Sequence, residues 1–184
     1  YQSEDSVAQA AEQLKHLGPF HLLIVATGLL HGAGARPEKS LGQLSYDQMM
    51  ASFTVNTFGP AMALARFAPL IARQERSLLG VLSAKVGSIA DNRLGGWYSY
   101  RASKAALNMM VRTAAIELAR THPLAVLAAL HPGTVDSPLS APFRGTRATR
   151  APAQAAADLL QVLDGLPKEE TGTFWAYDGK RLPW

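Results

Sequence analysis

Tyr100 and Lys104 stand four residues apart in the stretch Tyr100-Arg101-Ala102-Ser103-Lys104. On a helix that spacing puts both side chains on one face, with Cβ atoms about 5–6 Å apart. A tyrosine hydroxyl ordinarily loses its proton near pH 10, and an ammonium held close favours the phenolate. Lowering that value by about three units takes roughly 4 kcal/mol of favourable interaction from Lys104 and any second cation in the site. A tyrosine so tuned gives a proton to a carbonyl oxygen during reduction, or takes one from an alcohol during oxidation. Taken alone, the spacing is also that of an ordinary surface helix pair, so the neighbouring sequence has to decide. Other chemistries find less support. The chain has no cysteine, which excludes disulfides, thiolate metal ligands and a cysteine nucleophile. The five histidines (His16, His21, His31, His122 and His131) show no His-x-x-x-His pair, so no metal site is expected. Met49 and Met50 read as packing residues.

The elements that must carry Tyr100 and Lys104 follow from hydrophobic patterning. Short apolar runs at Leu22 to Thr27, Leu78 to Ser83, Leu124 to Leu130 and Thr173 to Tyr177 read as buried strands. Helical patterns alternate with them. One runs from Asp5 to Leu17. A second opens at the capping box Ser45-Tyr-Asp-Gln48, in which the Ser hydroxyl and the Gln side chain satisfy free backbone donors, and continues to about Arg73. The third runs from Tyr98 to His122, where Pro123 stops it, and an Ala-rich fourth spans Pro152 to Leu163. Alternating helix and strand predict an α/β fold with a doubly wound parallel sheet, Rossmann-like, in one domain.

With the elements placed, a family resemblance becomes visible. Gly95-Gly-Trp-Tyr-Ser-Tyr100-Arg-Ala-Ser-Lys104-Ala-Ala-Leu-Asn108 resembles the active-site helix of the short-chain dehydrogenase/reductase family. His131-Pro132-Gly133-Thr134-Val135-Asp136-Ser137 resembles its turn beside the nicotinamide, and Thr54-Val55-Asn56-Thr57 the segment whose Asn holds a water. The ending Tyr177-Asp178-Gly179-Lys180 with Leu182-Pro183-Trp184 resembles the branch that includes C-factor and the carbonyl reductase sniffer. The resemblance implies an NAD(P)(H)-dependent oxidoreductase acting on a small-molecule carbonyl or alcohol. Tyr100 would be the general acid/base. Lys104 would hold the nicotinamide ribose and, with the oxidised nicotinamide, tune Tyr100. Asn56 would position a relay water, while Pro132, Gly133, Val135 and Ser137 would shape the nicotinamide site. NADP(H) is expected ahead of NAD(H), in a homo-oligomer, with Pro138 to Arg150 as a substrate-binding lid.

Two departures from the family pattern matter. The residue expected to be the substrate-binding serine is Ala84, in Ser83-Ala84-Lys85-Val86-Gly87-Ser88. Ser83 should point to the other face of its strand, which leaves Ser88, beyond Gly87, as the preferred substitute. Loss of such a donor costs a factor of about 10² to 10³ in turnover. The second departure is Val25-Ala26-Thr27-Gly28 where the family has Asn-Asn-Ala-Gly. In addition, no glycine-rich turn between a strand and a helix is present to cradle a pyrophosphate. Gly28 through Gly34 is glycine-rich, but Arg36-Pro37 follows and a loop is expected there. The expectation is that about three further strands and that turn lie upstream, completing the same domain. A scaffold that binds or signals without turnover is the alternative to an enzyme.

Composition narrows the partners. The net charge of +4 and pI near 9.6 permit attraction to anions. Arg144, Arg147 and Arg150 form the densest basic stretch, in a Pro/Gly/Thr-rich loop without interleaved aromatics, so nucleic acid is not an expected partner. The apolar run Leu22 to Leu30 is shorter than the roughly 20 residues that span a bilayer, and the opening Tyr-Gln-Ser-Glu-Asp-Ser does not read as a signal peptide. The expectation is a cytoplasmic protein that does not enter the membrane.

Overall fold

The computed structural model describes residues 3–32, 36–146 and 148–184. Four strands, β1 (Leu22–Val25), β2 (Ser77–Leu82), β3 (Ala125–His131) and β4 (Thr173–Ala176), form one sheet in the order β1-β2-β3-β4. All three pairings are parallel, with Leu22 opposite Leu78, Leu78 opposite Val126 and Ala128 opposite Thr173. Every strand is regained by a crossover, as the alternation of patterns predicted. Among the described residues no helix is long and apolar enough to cross a membrane.

Side-chain alternation along β3 divides the interior into two cores. Ala125, Leu127 and Ala129 face α3 (Gly59–Phe67) and α4 (Tyr98–Thr121), where they join Leu64, Leu107, Val111 and Phe174. Val126, Ala128 and Leu130 face α5 (Pro152–Gly165) and meet Leu159 and Leu163. A strand buried on both faces reads as an unbroken apolar run, which is why no period-2 pattern marks β3 in the sequence. At β1 the burial weakens: Leu22 is 48% and Ile24 38% exposed.

The helix expected from Ser45 to Arg73 is interrupted. α2 (Tyr46–Phe53) passes into a π-helical turn over Thr54–Phe58 before α3 begins. Pro60 has no N–H to give the Asn56 carbonyl four residues back, so the regular ladder breaks at this point. The capping box is only half formed. Ser45 Oγ accepts from the Gln48 N–H, whereas the Gln48 amide donates to the Arg36 carbonyl at 2.8 Å. α1 (Glu4–Leu14) is capped by Ser3 and ends in a 3-10 turn over Lys15–Leu17.

The last strand is held by aromatic stacking: Phe174 lies parallel to Trp184 at 5.6 Å between ring centroids, and Leu182 N–H donates to the Phe174 carbonyl at 2.7 Å. Phe174 is fully buried and touches the α4 side of the core. Phe174→Ala is therefore expected to cost about 3–5 kcal/mol, read as a lowered urea midpoint with an unchanged slope. A loss below about 1 kcal/mol would show that the core collapses into the space.

Candidate active site

The carboxyl ends of β1, β2 and β3 open into a cavity of about 790 Å³, the position where open parallel sheets bind ligands. Tyr100 and Lys104 form its floor, Ala84 and His131 part of its sheet wall, and Leu94, Trp97 and Phe143 its outer side. α4 enters this site through three consecutive residues of left-handed backbone, Gly95 (φ 64°), Gly96 (φ 63°) and Trp97 (φ 54°). A bulky residue seldom adopts that conformation. Here it brings the indole to 6.3 Å from the Tyr100 ring and 5.3 Å from Phe143, between centroids.

The four-residue spacing does put Tyr100 and Lys104 on one buried face of α4, at 8% and 2% exposure. The Lys104 ammonium donates to the Leu82 carbonyl at 3.0 Å, at the end of β2. It makes no hydrogen bond to Tyr100. The electrostatics differ from the expected depression of the tyrosine value. Burial pushes the Tyr100 hydroxyl up to about 12 and pulls the Lys104 ammonium down to about 8. Desolvation thus outweighs any attraction between the two, because both are nearly removed from water and neither is paired with the other. Burial keeps the Tyr100 hydroxyl protonated across the neutral range.

Asn56 is fully buried beside them. Its Oδ1 accepts from Leu29 N–H at 2.7 Å, and its Nδ2 donates to the Leu29 carbonyl at 2.8 Å and to Ser103 Oγ at 3.1 Å. Ser103 Oγ in turn donates to the Tyr100 carbonyl at 2.9 Å, and Thr57 Oγ1 donates to the Ser103 carbonyl at 2.8 Å. The π turn is thereby fastened to α4 between its two chemical residues. Ser103 went unnoticed in the sequence, although its place one residue before Lys104 was the available signal. Gly28, after β1, leaves a gap here: a Cβ added to it would lie 3.8 Å from Asn56 Oδ1 and 3.9 Å from Lys104 Nζ.

Pro132, Gly133, Val135 and Ser137 all line the cavity. Gly133 takes φ 74°, and a Cβ there would come within 2.7 Å of the Tyr177 ring, so both backbone and space require glycine. Beyond it Arg150 N–H donates to the Thr134 carbonyl and Asp136 N–H to the Arg150 carbonyl, and the Arg150 guanidinium lies 3.9 Å over the Tyr177 ring. Arg147, of the basic stretch, lies outside the described residues.

The serine substitution is resolved differently from the preferred reading. Ser88 is buried, its Oγ accepts from Asp91 N–H at 3.1 Å, and it does not line the cavity. Its oxygen closes the turn Ser88 to Asp91, away from the cavity. Ser83 reaches the cavity wall, but its Oγ donates to Asn108 Oδ1 at 2.6 Å. Ala84 itself faces the cavity, with no hydroxyl to offer. The glycine-rich stretch after β1 does not open a helix: the next helical element is a 3-10 turn over Leu41–Gln43, and Gly34 lies outside the described residues.

Gly87 is the second residue that sequence reasoning passed over. A Cβ there would lie 2.8 Å from Lys104 Cβ and 2.9 Å from its carbonyl carbon, so the 3-10 turn over Lys85–Gly87 rests directly on the α4 backbone. Gly87→Ala is expected to lower stability by about 1–3 kcal/mol through overpacking against rigid backbone, seen as a lowered Tm. The buried lysine gives a signed pH dependence. With its value at about 8 in the folded chain and 10.5 ordinarily, the unfolded chain binds the extra proton between these limits. The penalty is full below about pH 8 and is relieved as the pH rises toward 10.5. Tyr100, raised to about 12, acts oppositely above its ordinary 10.0. With no nucleotide added, Lys104→Met should raise Tm at neutral pH, and the gain should shrink by about pH 10. A Tm difference constant over that range would contradict it.

A family model described as short chain dehydrogenase matches residues 1–148. The 1-hydroxy-2-glutathionyl-2-methyl-3-butene dehydrogenase of Rhodococcus sp. (strain AD45) is 35% identical over 182 residues, which cover 99% of this chain and 76% of that protein. C-signal of Myxococcus xanthus is 35% identical over 145 residues, covering 79% of this chain and 84% of its own. Among solved structures, the NADPH-bound carbonyl reductase from chicken fatty liver superposes with a TM-score of 0.81 at 27% identity, covering 98% of this chain and 72% of that one. The chain belongs to the short-chain dehydrogenase family.

Proposed function

We propose that the protein is an NADP(H)-dependent oxidoreductase that reduces a carbonyl group, or oxidises an alcohol, on a small molecule. The observation that carries this reading is the buried pair Tyr100 and Lys104 on the floor of a cavity walled by the left-handed turn at Gly133. A nicotinamide riboside fits what the residues offer. Thr27 Oγ1 is buried without a partner at the end of β1, and the Gly133 turn presents backbone to the same space. Tyr100, Lys104, Pro132, Gly133, Val135 and Ser137 would hold that end of the cofactor, which supplies the hydride. The similarity to a carbonyl reductase bound to NADPH supports NADP(H) ahead of NAD(H).

Tyr100, protonated at neutral pH, gives its proton to the carbonyl oxygen, and the positive charges of Lys104 and the bound cofactor would offset the effect of burial, which makes the hydroxyl a weaker acid. Lys104 holds the ribose hydroxyls and, when charged, stabilises the phenolate left behind. Asn56 and Lys104 border the gap at Gly28, which is where a relay water would return the proton. Ala84 leaves the substrate oxygen with Tyr100 as its donor. This favours slow turnover, and it is the observation behind a second reading, a scaffold that binds without catalysis. The exposed edge of β1 supports further strands upstream of it, which would carry the turn for the pyrophosphate. An intact mass of 19.7 kDa for the natural protein would overturn that part. A cytoplasmic homo-oligomer completes the proposal, supported by the exposed Met109, Met110 and Ile116 of α4.

The test is oxidation of NADPH and NADH across aldehydes, ketones and quinones. Turnover is expected in the wild type, with a loss of about 10² to 10⁴ in kcat for Tyr100→Phe. Ala84→Ser should increase kcat by about tenfold or more, by restoring a donor to the substrate oxygen. Wild type without turnover that gains none from Ala84→Ser favours the binding scaffold.

A further inference from the structure

Glu38 is 2% exposed, an acid buried in a loop to which the chemistry above assigns no part. Its carboxylate faces the first turn of α4, 61 residues further along the chain. Oε2 accepts from Ser99 N–H at 3.2 Å and Oε1 accepts from Ser99 Oγ, while the Glu38 carbonyl accepts from Trp97 N–H. The cap position of α4 is occupied by Trp97, whose side chain makes no capping hydrogen bond. A helix start buried with free N–H groups needs an acceptor from elsewhere, and a carboxylate there also meets the positive end of the helix dipole. Glu38 supplies both. Its own loop is tied in turn to α2 through Gln48 Nε2 on the Arg36 carbonyl, and is closed on itself by Lys39 N–H on Gln43 Oε1 of the 3-10 turn.

We infer that Glu38 is a positioning residue for the reaction: a cap supplied from a distant loop that fixes the first turn of α4, and with it Tyr100 and the left-handed Trp97. Three contacts converge on residues 97–99, immediately before Tyr100. Rotation of that turn would carry the tyrosine hydroxyl off its line to the substrate and withdraw the indole from its contact with Phe143 at 5.3 Å. Ser103, Asn56 and Thr57 fasten the next turn, so Glu38 completes a two-point mounting with Tyr100 between the points. The carboxylate acts through Ser99 and Trp97, and touches neither substrate nor cofactor.

The kinetic arm of the test rests on the proposed oxidoreductase function; the exchange arm does not. Hydrogen exchange by mass spectrometry and steady-state kinetics are compared for wild type, Glu38→Ala, Glu38→Gln and Ser99→Ala. Glu38→Ala is expected to accelerate exchange in the peptide covering residues 97–101, with β2 and β3 as protected as in the wild type. It should lower kcat about tenfold with a smaller change in KM for NADPH, because Tyr100 is displaced while the other cofactor-wall residues, Lys104 and Pro132 to Ser137, are not. Glu38→Gln, which keeps an acceptor for Ser99 N–H, should restore kcat to within about threefold of wild type. Ser99→Ala, which keeps the N–H and loses the hydroxyl, should fall between them. Unchanged exchange at residues 97–101 in Glu38→Ala overturns the inference whatever the activity. So does faster exchange spread evenly over the sheet in all three variants, the mark of a merely structural acid. Absence of turnover in the wild type sinks the oxidoreductase reading alone and leaves the exchange result to judge Glu38.

Discussion

The structure depends on burying one ammonium. Lys104 lies at the point where α4, the 3-10 turn at Gly87 and the end of β2 converge, and its hydrogen bond to the Leu82 carbonyl is made at the edge of the sheet. Holding it there while charged costs about 3 kcal/mol at neutral pH, from a value lowered to about 8 against 10.5 ordinarily. The surrounding architecture offsets that cost. Gly87 permits backbone contact with Lys104, Leu107 and Val111 anchor the next turns in the core, and Ser103 with Asn56 and Thr57 prevents the helix from rolling. A partly desolvated amine keeps its charge available for a partner that arrives with hydroxyls or a phenolate. That is the physical content of placing a lysine four residues after a tyrosine on a buried face.

Much of this was legible in the sequence, for reasons that can be named. Strands such as Leu78 to Ser83 and Leu124 to Leu130 are apolar without interruption because both faces are covered, and the helices between them carry their own start and stop signals. The cavity residues Tyr100, Lys104, Pro132, Gly133, Val135 and Ser137 were recoverable because each belongs to a contiguous motif. What stayed hidden depends on contacts between distant segments. Glu38 gives no local sign that it caps a helix 61 residues away, and the half-formed capping box at Ser45 could not reveal that Gln48 turns to Arg36 instead. Ser88 was preferred over Ser83 on chain geometry alone, and the turn hydrogen bond to Asp91 was beyond that reasoning. Spacing shows that an ammonium is near Tyr100, whereas the burial that raises the tyrosine value in the chain alone is a property of the whole fold.

The π turn shows how a small irregularity serves a larger geometry. The π-helical turn Thr54–Phe58 presents two successive residues to one residue of α4, Asn56 Nδ2 donating to Ser103 Oγ and Thr57 Oγ1 to the Ser103 carbonyl. Pro60, which looks like a defect in a long helix, removes the donor that would have enforced regularity. The site is therefore mounted on an interruption, with α2 tied to the Glu38 loop and α3 to the core.

The division of β3 into odd and even residues has a consequence for how such a chain can change its length. Ala125 and Ala129 flank Leu127 with small side chains on the α4 face, while Val126 and Leu130 flank Ala128 with larger ones on the α5 face. A single residue gained or lost within the strand would exchange these two sets, sending bulk toward Lys104 and leaving voids under α5. Insertions in the Pro138 to Arg150 stretch or at the Gly95 turn carry no such parity. Length variation should therefore accumulate in the loops at the rim of the cavity, while strand lengths stay fixed by counting.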